Sequence, residues 1–196
     1  MKITPKTGIW IAIVAVLGVL LSWFVIVGPK SVPREFGEAR REGTRLTEEI
    51  IFAANASRQG LSEIAKYDAE ANVSEALIAT SRELLRNRDI RERAIKLAVE
   101  LGKMAASLPN IKPYSGRAIV SEAIGYEVAL VSRLITYNDD LNKLFELLRA
   151  KFTGTVFKTD GQVQSLVNSV NAGANAVNDL QKSYADAMER FDEVYE

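Results

Sequence analysis

Apolar residues recur every three or four positions through most of the chain, from about residue 34 to residue 195. This spacing places them on one face of an α-helix and is typical of helices that pack in a bundle. The period-two alternation that predicts strands is almost absent. The clearest repeat lies near the C-terminus, where apolar or aromatic residues recur every seven positions: Val163, Val170, Val177, Tyr184 and Phe191. The pattern therefore predicts an all-α fold.

Breaks in this pattern divide the region into four long helices. Pro109 and Pro113 end the second helix, and a loop rich in Gly and Thr separates the third from the fourth. Because short connections make neighbouring helices antiparallel, residues 34–196 are predicted to form an up-down-up-down four-helix bundle. The predicted helices cover about 34–67, 72–108, 114–152 and 162–195.

Two irregularities interrupt the predicted core faces. In the first helix, the apolar stripe skips one position at Gly60. In the second helix, the charged run 83–93 interrupts the stripe, and we interpret this run as a solvated or salt-bridged surface. The predicted core face of the first helix is Phe36, Ala39, Gly43, Leu46, Ile50, Ala53, Ser57, Ile64 and Tyr67.

An uncharged apolar run of about 21 residues, 8–28, precedes the bundle. As a helix it would span roughly 30 Å, the thickness of the hydrocarbon core of a bilayer. Trp10 lies near one end of the run, and Trp23 and Phe24 lie near the other, as interfacial aromatic residues do. We predict a single transmembrane helix between a short tail, 1–7, and a Pro-containing linker, 29–33.

A cleaved signal peptide and a buried soluble helix are the alternatives for this run. A signal peptide has a shorter apolar region and a small-residue cleavage site, and soluble helices are rarely so uniformly apolar. Gly18 and Ser22 form a small-xxx-small pair that would let two membrane helices approach closely, although small residues are common in any membrane helix.

The orientation in the membrane rests on two opposing features. The N-terminal tail carries two Lys and no acid, which favours a cytoplasmic N-terminus and an extracytoplasmic bundle. The flank that follows the run is richer in basic residues, which favours the reverse under the positive-inside rule. Long domains translocate largely regardless of charge, so we expect the bundle to lie outside.

Composition narrows the possible functions. The 25 basic residues balance the 25 acidic ones, whereas nucleic-acid binders carry a basic excess. The absence of Cys excludes disulfides and thiolate nucleophiles, and the absence of His removes the commonest general base and metal ligand. We expect neither catalysis nor a cofactor, and no nucleic-acid partner.

Polar residues at helical spacing are the remaining candidates for a site. Asn is a poor helix former, so four on one face of the last helix suggest a contact surface, with a solvated face as the alternative: Asn168, Asn171, Asn175 and Asn178. Asn138 and Thr136 are candidate buried polar residues in the third helix. A buried Asn sets helix register or binds a ligand. The adjacent Asp139 and Asp140 point in different directions and do not converge.

The pair Tyr137-Asn138 in LITYNDDLN resembles the Tyr-Asn pattern of the LemA family, which also has an N-terminal anchor and a helical bundle. The family's basic motif leading into an Asp-Leu-Ile-Pro-Asn run is missing here, and a whole helix follows the Tyr-Asn pair. The layout is also similar to chemoreceptor sensor domains, which carry a second membrane helix and a signalling tail. Both are resemblances of architecture, so we assign the chain to neither family.

These features predict a single-pass membrane protein whose bundle binds other membrane or envelope proteins, or a second copy of itself. The alternative is a ligand-sensing bundle that works with a separate transducer. In that case a pocket lined by Asn138 and Thr136 is expected between the helices.

Overall fold

The computed structural model describes residues 30–156 and 160–196, which form four long α-helices. The helices are α1 (Arg34–Ala69), α2 (Val73–Ser107), α3 (Tyr114–Phe152) and α4 (Asp160–Tyr195), with a 3-10 turn at Leu108–Asn110. Apart from one isolated β-bridge, these residues contain no extended pairing. The all-helical prediction is confirmed, and the predicted helix ends agree with the structure to within about two residues.

The predicted transmembrane helix, 8–28, lies outside the described residues, together with its candidate anchor residues. Within residues 30–156 and 160–196, no helix has a stretch long and apolar enough to cross a bilayer. The anchor therefore stays a prediction for these residues: Trp10, Gly18, Ser22, Trp23 and Phe24.

Consecutive helices pack against each other along their lengths, α1 on α2, α2 on α3 and α3 on α4. At one end, Lys151 pairs with Asp68 at 2.6 Å and joins the C-terminal ends of α1 and α3. At the other end, which we call the base, Ser31 and Lys112 exchange backbone hydrogen bonds of 2.9 and 3.0 Å. The Tyr195 hydroxyl also donates to the Lys112 carbonyl there, at 2.7 Å. The four helices thus run up and down between these two ends.

A polar layer divides the apolar core in two. One apolar cluster, which includes Phe36 and Phe191, fills the half near the base, and the other, which includes Phe145, fills the distal half. The layer between them includes the buried polar residues Ser57, Glu83, Asn87 and Asn138, and the buried Thr80 lies one turn from Glu83 on α2. Burying polar groups is unfavourable unless they find partners, so their contacts govern how the helices align.

The charged run of α2 contributes two members of this layer, which corrects its interpretation as surface alone. Glu83 and Asn87 are 0% and 1% exposed, and with Ile90 and Ala94 they continue the core stripe at steps of three and four. The arginines of the run do form surface ion pairs, such as Arg91 with Asp139 at 3.5 Å. One charged and one neutral polar residue therefore fill core positions where the apolar pattern stops.

Asn87 and Asn138 form a reciprocal amide pair across α2 and α3. The Asn87 side chain donates to the Asn138 carbonyl at 2.9 Å. The Asn138 side chain donates to the Asn87 carbonyl at 2.7 Å and to its side-chain oxygen at 2.6 Å. Since sliding either helix by one turn would leave these groups buried without partners, the pair fixes the register of α2 against α3.

Gly60, where the α1 stripe skips a position, makes room for the Glu83 carboxyl. A Cβ placed on Gly60 would overlap that carboxyl and lie 2.8 Å from the Glu83 Cγ. One carboxyl oxygen bonds Arg86, and the Nε of Arg82 lies 3.7 Å from the same oxygen. The glycine and the buried acid therefore form one contact between α1 and α2.

We expect Gly60→Ala to destabilise the bundle by about 2 kcal/mol, since overpacking a filled site outweighs the gain in helix propensity. Gly102→Ala is the matched control, because nothing lies within 4 Å of a Cβ there. It should be neutral or stabilising by up to about 1 kcal/mol. Chemical denaturation of both variants checks this, and equal effects at the two glycines would contradict the steric explanation.

Candidate binding groove

The side of the bundle between α1 and α4 is its most open interface. These two helices approach each other less closely than the other neighbouring pairs do. Their contacts concentrate near the base, where the rings of Phe36 and Phe191 lie 5.5 Å apart between centroids. Two cavities lie one after the other between these helices, and we call them together the α1/α4 groove.

The section of the groove nearer the base has a volume of about 620 Å³. Met188 and Tyr184 of α4 supply apolar surface, and Thr44 and Thr47 of α1 supply hydroxyls. The Thr47 hydroxyl is buried and has no hydrogen-bond partner among the described residues. Apolar surface next to convergent polar groups is typical of a binding site.

A bidentate ion pair joins α1 and α4 within this section. Both terminal nitrogens of Arg40 bond the Asp192 carboxylate, each at 2.6 Å. This hydrogen bonding raises the pKa of Arg40 further above its ordinary value, against the opposing effect of burial. The paired geometry is favourable, but both side chains are partly exposed, so the pair can open at modest cost.

Acidic side chains dominate the groove near the base. Four carboxylates line it in addition to Asp192, and none forms an ion pair with another described residue: Glu48, Glu189, Glu193 and Glu196. Arg40 is the one basic residue lining this section, and Asp192 neutralises it. Such a surface attracts cationic groups and raises their rate of association.

A buried carboxyl lies behind the groove wall. Glu127 of α3 is 2% exposed, and one of its oxygens has no hydrogen-bond partner among the described residues. Burial raises the pKa of Glu127 to about 7, and hydrogen bonding from Tyr184 opposes this shift. Burial likewise raises the pKa of Tyr184. Because Tyr184 lines the groove, it connects the solvent-facing cavity to the buried acid.

The second section of the groove lies further from the base and measures about 280 Å³. Its floor includes Leu134 and Tyr137 of α3, and its polar walls include Arg58 and Asn178. Tyr137 also packs against Gly173, where an added Cβ would lie 3.3 Å from the ring. Gly173 therefore allows α4 to approach α3 closely, which leaves the gap on the side of α1.

The two candidate buried polar residues predicted from sequence, Asn138 and Thr136, have different environments in the structure. Asn138 is buried as predicted, but its side chain is occupied by Asn87 rather than lining the groove. The prediction that Thr136 is buried is wrong: it is exposed, and its hydroxyl donates to the Ser132 carbonyl at 3.2 Å. A Thr hydroxyl can satisfy itself within its own helix, so it does not need a core partner.

The predicted Asn face of α4 is exposed throughout: Asn168, Asn171, Asn175 and Asn178. Of these, Asn178 lines the groove, and Asn168 accepts a hydrogen bond from Gln164 at 3.0 Å. The role of this Asn face as a contact surface stays a prediction.

Sequence reasoning missed Glu127, although it falls at the core spacing between Val120, Ile124 and Leu134.

The chemistry available in the groove suits binding. Within the part of the chain that the structure describes, no group of three or more His, Cys, Asp or Glu side chains could hold a metal ion. The convergent groups are a hydroxyl, a phenol and carboxylates, which recognise cations and hydrogen-bond donors. No protein-family model, curated protein or solved structure matches this chain.

We expect Glu127→Gln to stabilise the bundle at pH 8 but not at pH 5. An acid whose pKa rises on folding keeps its proton in the folded state while the unfolded chain has lost it. Stability therefore falls as pH rises from about 4.5 to about 7, and the difference at pH 8 amounts to up to about 3 kcal/mol. Glutamine mimics the neutral acid and removes this dependence.

Unfolding of the detergent-solubilised chain at both pH values measures this effect. Glu146→Gln serves as the control, since Glu146 is exposed on the same helix. A Glu127→Gln variant that parallels the parent chain at every pH would show that this carboxyl ionises normally in the fold.

Proposed function

We propose that the chain is a single-pass membrane protein whose bundle binds a helix of a partner protein in the α1/α4 groove, without catalysis. The bundle lies outside the membrane on the extracytoplasmic side, and the N-terminus lies in the cytoplasm. The α1/α4 groove is the observation that carries this proposal. The uncharged run at 8–28 supports the anchor.

The length of the groove suits a helix. Its lining residues on α1 extend from Arg40 to Arg58, which corresponds to roughly 27 Å of helix at 1.5 Å per residue. An amphipathic helix of about five turns would lie along it, with its apolar face toward the partly exposed Tyr184, Ile51 and Ala54. This arrangement would add a fifth helix at the interface that the bundle leaves most open.

The charge of the groove defines the partner further. Glu48, Glu189 and Glu193 line the section near the base without ion-pair partners among the described residues. A partner helix with Lys or Arg at its flanks would supply the missing cations. Electrostatic attraction would speed its association and make binding weaker at high salt.

A ligand-sensing bundle is the second candidate function, and Glu127 favours it. A cationic ligand beside Tyr184, which lines the groove, would stabilise the charged form of the buried Glu127 carboxyl behind it. The partner helix remains the first proposal, because the groove continues well beyond Tyr184 along both helices.

Site-specific photocrosslinking in intact cells tests the groove. A photoreactive residue at Thr44 or Ala185, which both line it, should give an adduct with one partner protein. The same residue at Ile95 or Val128, exposed side chains of α2 and α3, should not. Comparable adducts from both faces, or adducts from Ile95 and Val128 alone, would overturn the proposed site.

Charge substitution distinguishes a specific partner from incidental contact. The double variant Glu48→Gln with Glu189→Gln should lose most of the adduct, because the attraction at the groove is removed. Exposed Glu75→Gln with Glu146→Gln, which changes net charge equally, should leave it intact. Higher salt should weaken the adduct in the parent chain as well.

Cysteine labelling tests the orientation, since the chain contains no Cys. We expect Thr155→Cys to react with a membrane-impermeant maleimide in cells whose outer layers are permeabilised, and Lys2→Cys to react only after lysis. The reverse pattern would place the bundle in the cytoplasm. Release of the chain from membranes by alkaline carbonate would contradict the anchor itself.

A further inference from the structure

The turn between α2 and α3 is hydrogen-bonded to the linker, residues 29–33, that follows the apolar run. Ser31 and Lys112 exchange both of their backbone hydrogen bonds, at 2.9 and 3.0 Å. The apolar run ends at residue 28, and three residues of chain span at most about 11 Å. If the run crosses a bilayer, as the proposed function holds, this turn cannot lie far from the membrane surface.

The surface of this turn combines an exposed aromatic ring with positive charge. Tyr114 is 71% exposed, although tyrosine rings usually bury their apolar surface. Lys30 and Lys112 are exposed beside it, and the sequence contains no acidic residue from 28 to 34 or from 101 to 121. Tyrosine and lysine together are typical of the interface between a membrane and water.

Internal hydrogen bonds make this surface rigid. Arg117 donates to the carbonyls of Pro109 and Ile111, at 3.1 and 3.4 Å. Its guanidinium also lies 5.8 Å from the centroid of the Tyr114 ring. Ile111 is fully buried under the turn. The position of Tyr114 is therefore determined by the fold.

Two acidic residues at the base lie toward the α1/α4 groove, whereas Glu35 is exposed at the start of α1 and Glu38 pairs there with Arg34. Glu193 and Glu196 belong to the last turns of α4 and line the α1/α4 groove. The base thus has a basic aromatic side at the turn and an acidic side at the groove, and the basic side suits an anionic surface.

We propose that the turn, residues 108–114, rests on the membrane surface, with Tyr114 in the headgroup layer and Lys30 and Lys112 against the phosphates of anionic lipids. This contact rests on the proposed single-pass anchor and adds a second attachment. It would hold the bundle at a fixed angle to the bilayer. The α1/α4 groove would then run away from the membrane along the bundle, and its opening would face sideways.

Spin labels on single cysteines in the full chain test this proposal, in nanodiscs that contain anionic lipid. Asn110→Cys reports on the turn, Thr155→Cys on the distal end, and Leu20→Cys on the apolar run. We expect the label at 110 to be more accessible to oxygen and less accessible to a water-soluble nickel chelate than the label at 155. Tyr114→Ser in the same background should abolish this difference.

Lipid composition tests the charges. Replacing the anionic lipid with a zwitterionic one should lower the oxygen accessibility at 110, and Lys30→Gln with Lys112→Gln should remove this dependence on lipid. Lys66→Gln with Arg149→Gln, exposed residues towards the distal end, should preserve it.

The label at residue 20 tests the transmembrane anchor separately from the contact of the turn with the membrane surface. A lipid-accessible label at 20 together with equal values at 110 and 155 would overturn the surface contact and leave the anchor standing. A fully aqueous label at 20 would overturn the anchor and the contact together.

Discussion

The buried amide pair of Asn87 and Asn138 is the contact on which the alignment of the bundle depends. Its three hydrogen bonds lie in an apolar interior, where an unmade bond carries its full desolvation penalty. Glu83 lies one turn from Asn87 on α2, and its carboxyl occupies the space at Gly60 of α1. Neighbouring residues of α2 therefore fix its register on α3, through Asn87, and on α1, through Glu83.

The fourth helix is held by contacts of a different kind. Small-residue packing of Gly173 on Tyr137 and aromatic packing of Phe191 on Phe36 hold it to its neighbours. Its ion pairs, Arg40 with Asp192 and Arg190 with Glu122, are partly exposed. Partly exposed pairs contribute little stability, and apolar packing tolerates small shifts. The interface of α4 with α1 is therefore the one that can widen with the least loss of stability.

The sequence pattern was sufficient to predict the four helices and many of the buried positions in the core. In α1 most of the predicted stripe from Phe36 to Ile64 is buried, because apolar spacing follows burial when a helix packs on one side. Ala53 is only partly buried, and Gly60, the skipped position, is buried. Pro109 and Pro113 located the α2–α3 turn for a similarly local reason. Asn72, the predicted start of the second helix, is the N-cap of α2, and its side chain accepts a hydrogen bond from the Glu75 amide.

The polar core and the groove were not predictable in the same way. Glu83, Asn87 and Glu127 occupy core positions by spacing, but their charge or polarity indicates surface unless a partner on another helix is known. The skipped position at Gly60 coincides with the buried Glu83 carboxyl from another helix, but the stripe alone did not predict that group. The gap between α1 and α4 depends on how closely α4 approaches α3, which is a property of three helices and not of one.

The last turns of α4 form contacts both in the groove and at the base, so a movement of these turns affects both surfaces. Asp192 bonds Arg40 across the groove, and Tyr195 bonds the carbonyl of Lys112 in the turn. Tyr195 also covers Gly116, where a Cβ would lie 2.9 Å from its ring. An occupant that displaces these turns outward must break the Arg40–Asp192 ion pair and the Tyr195 hydrogen bond, and uncover α3 at the turn. The free energy of filling the groove near the base therefore includes the free energy of loosening the turn that is fastened to the linker.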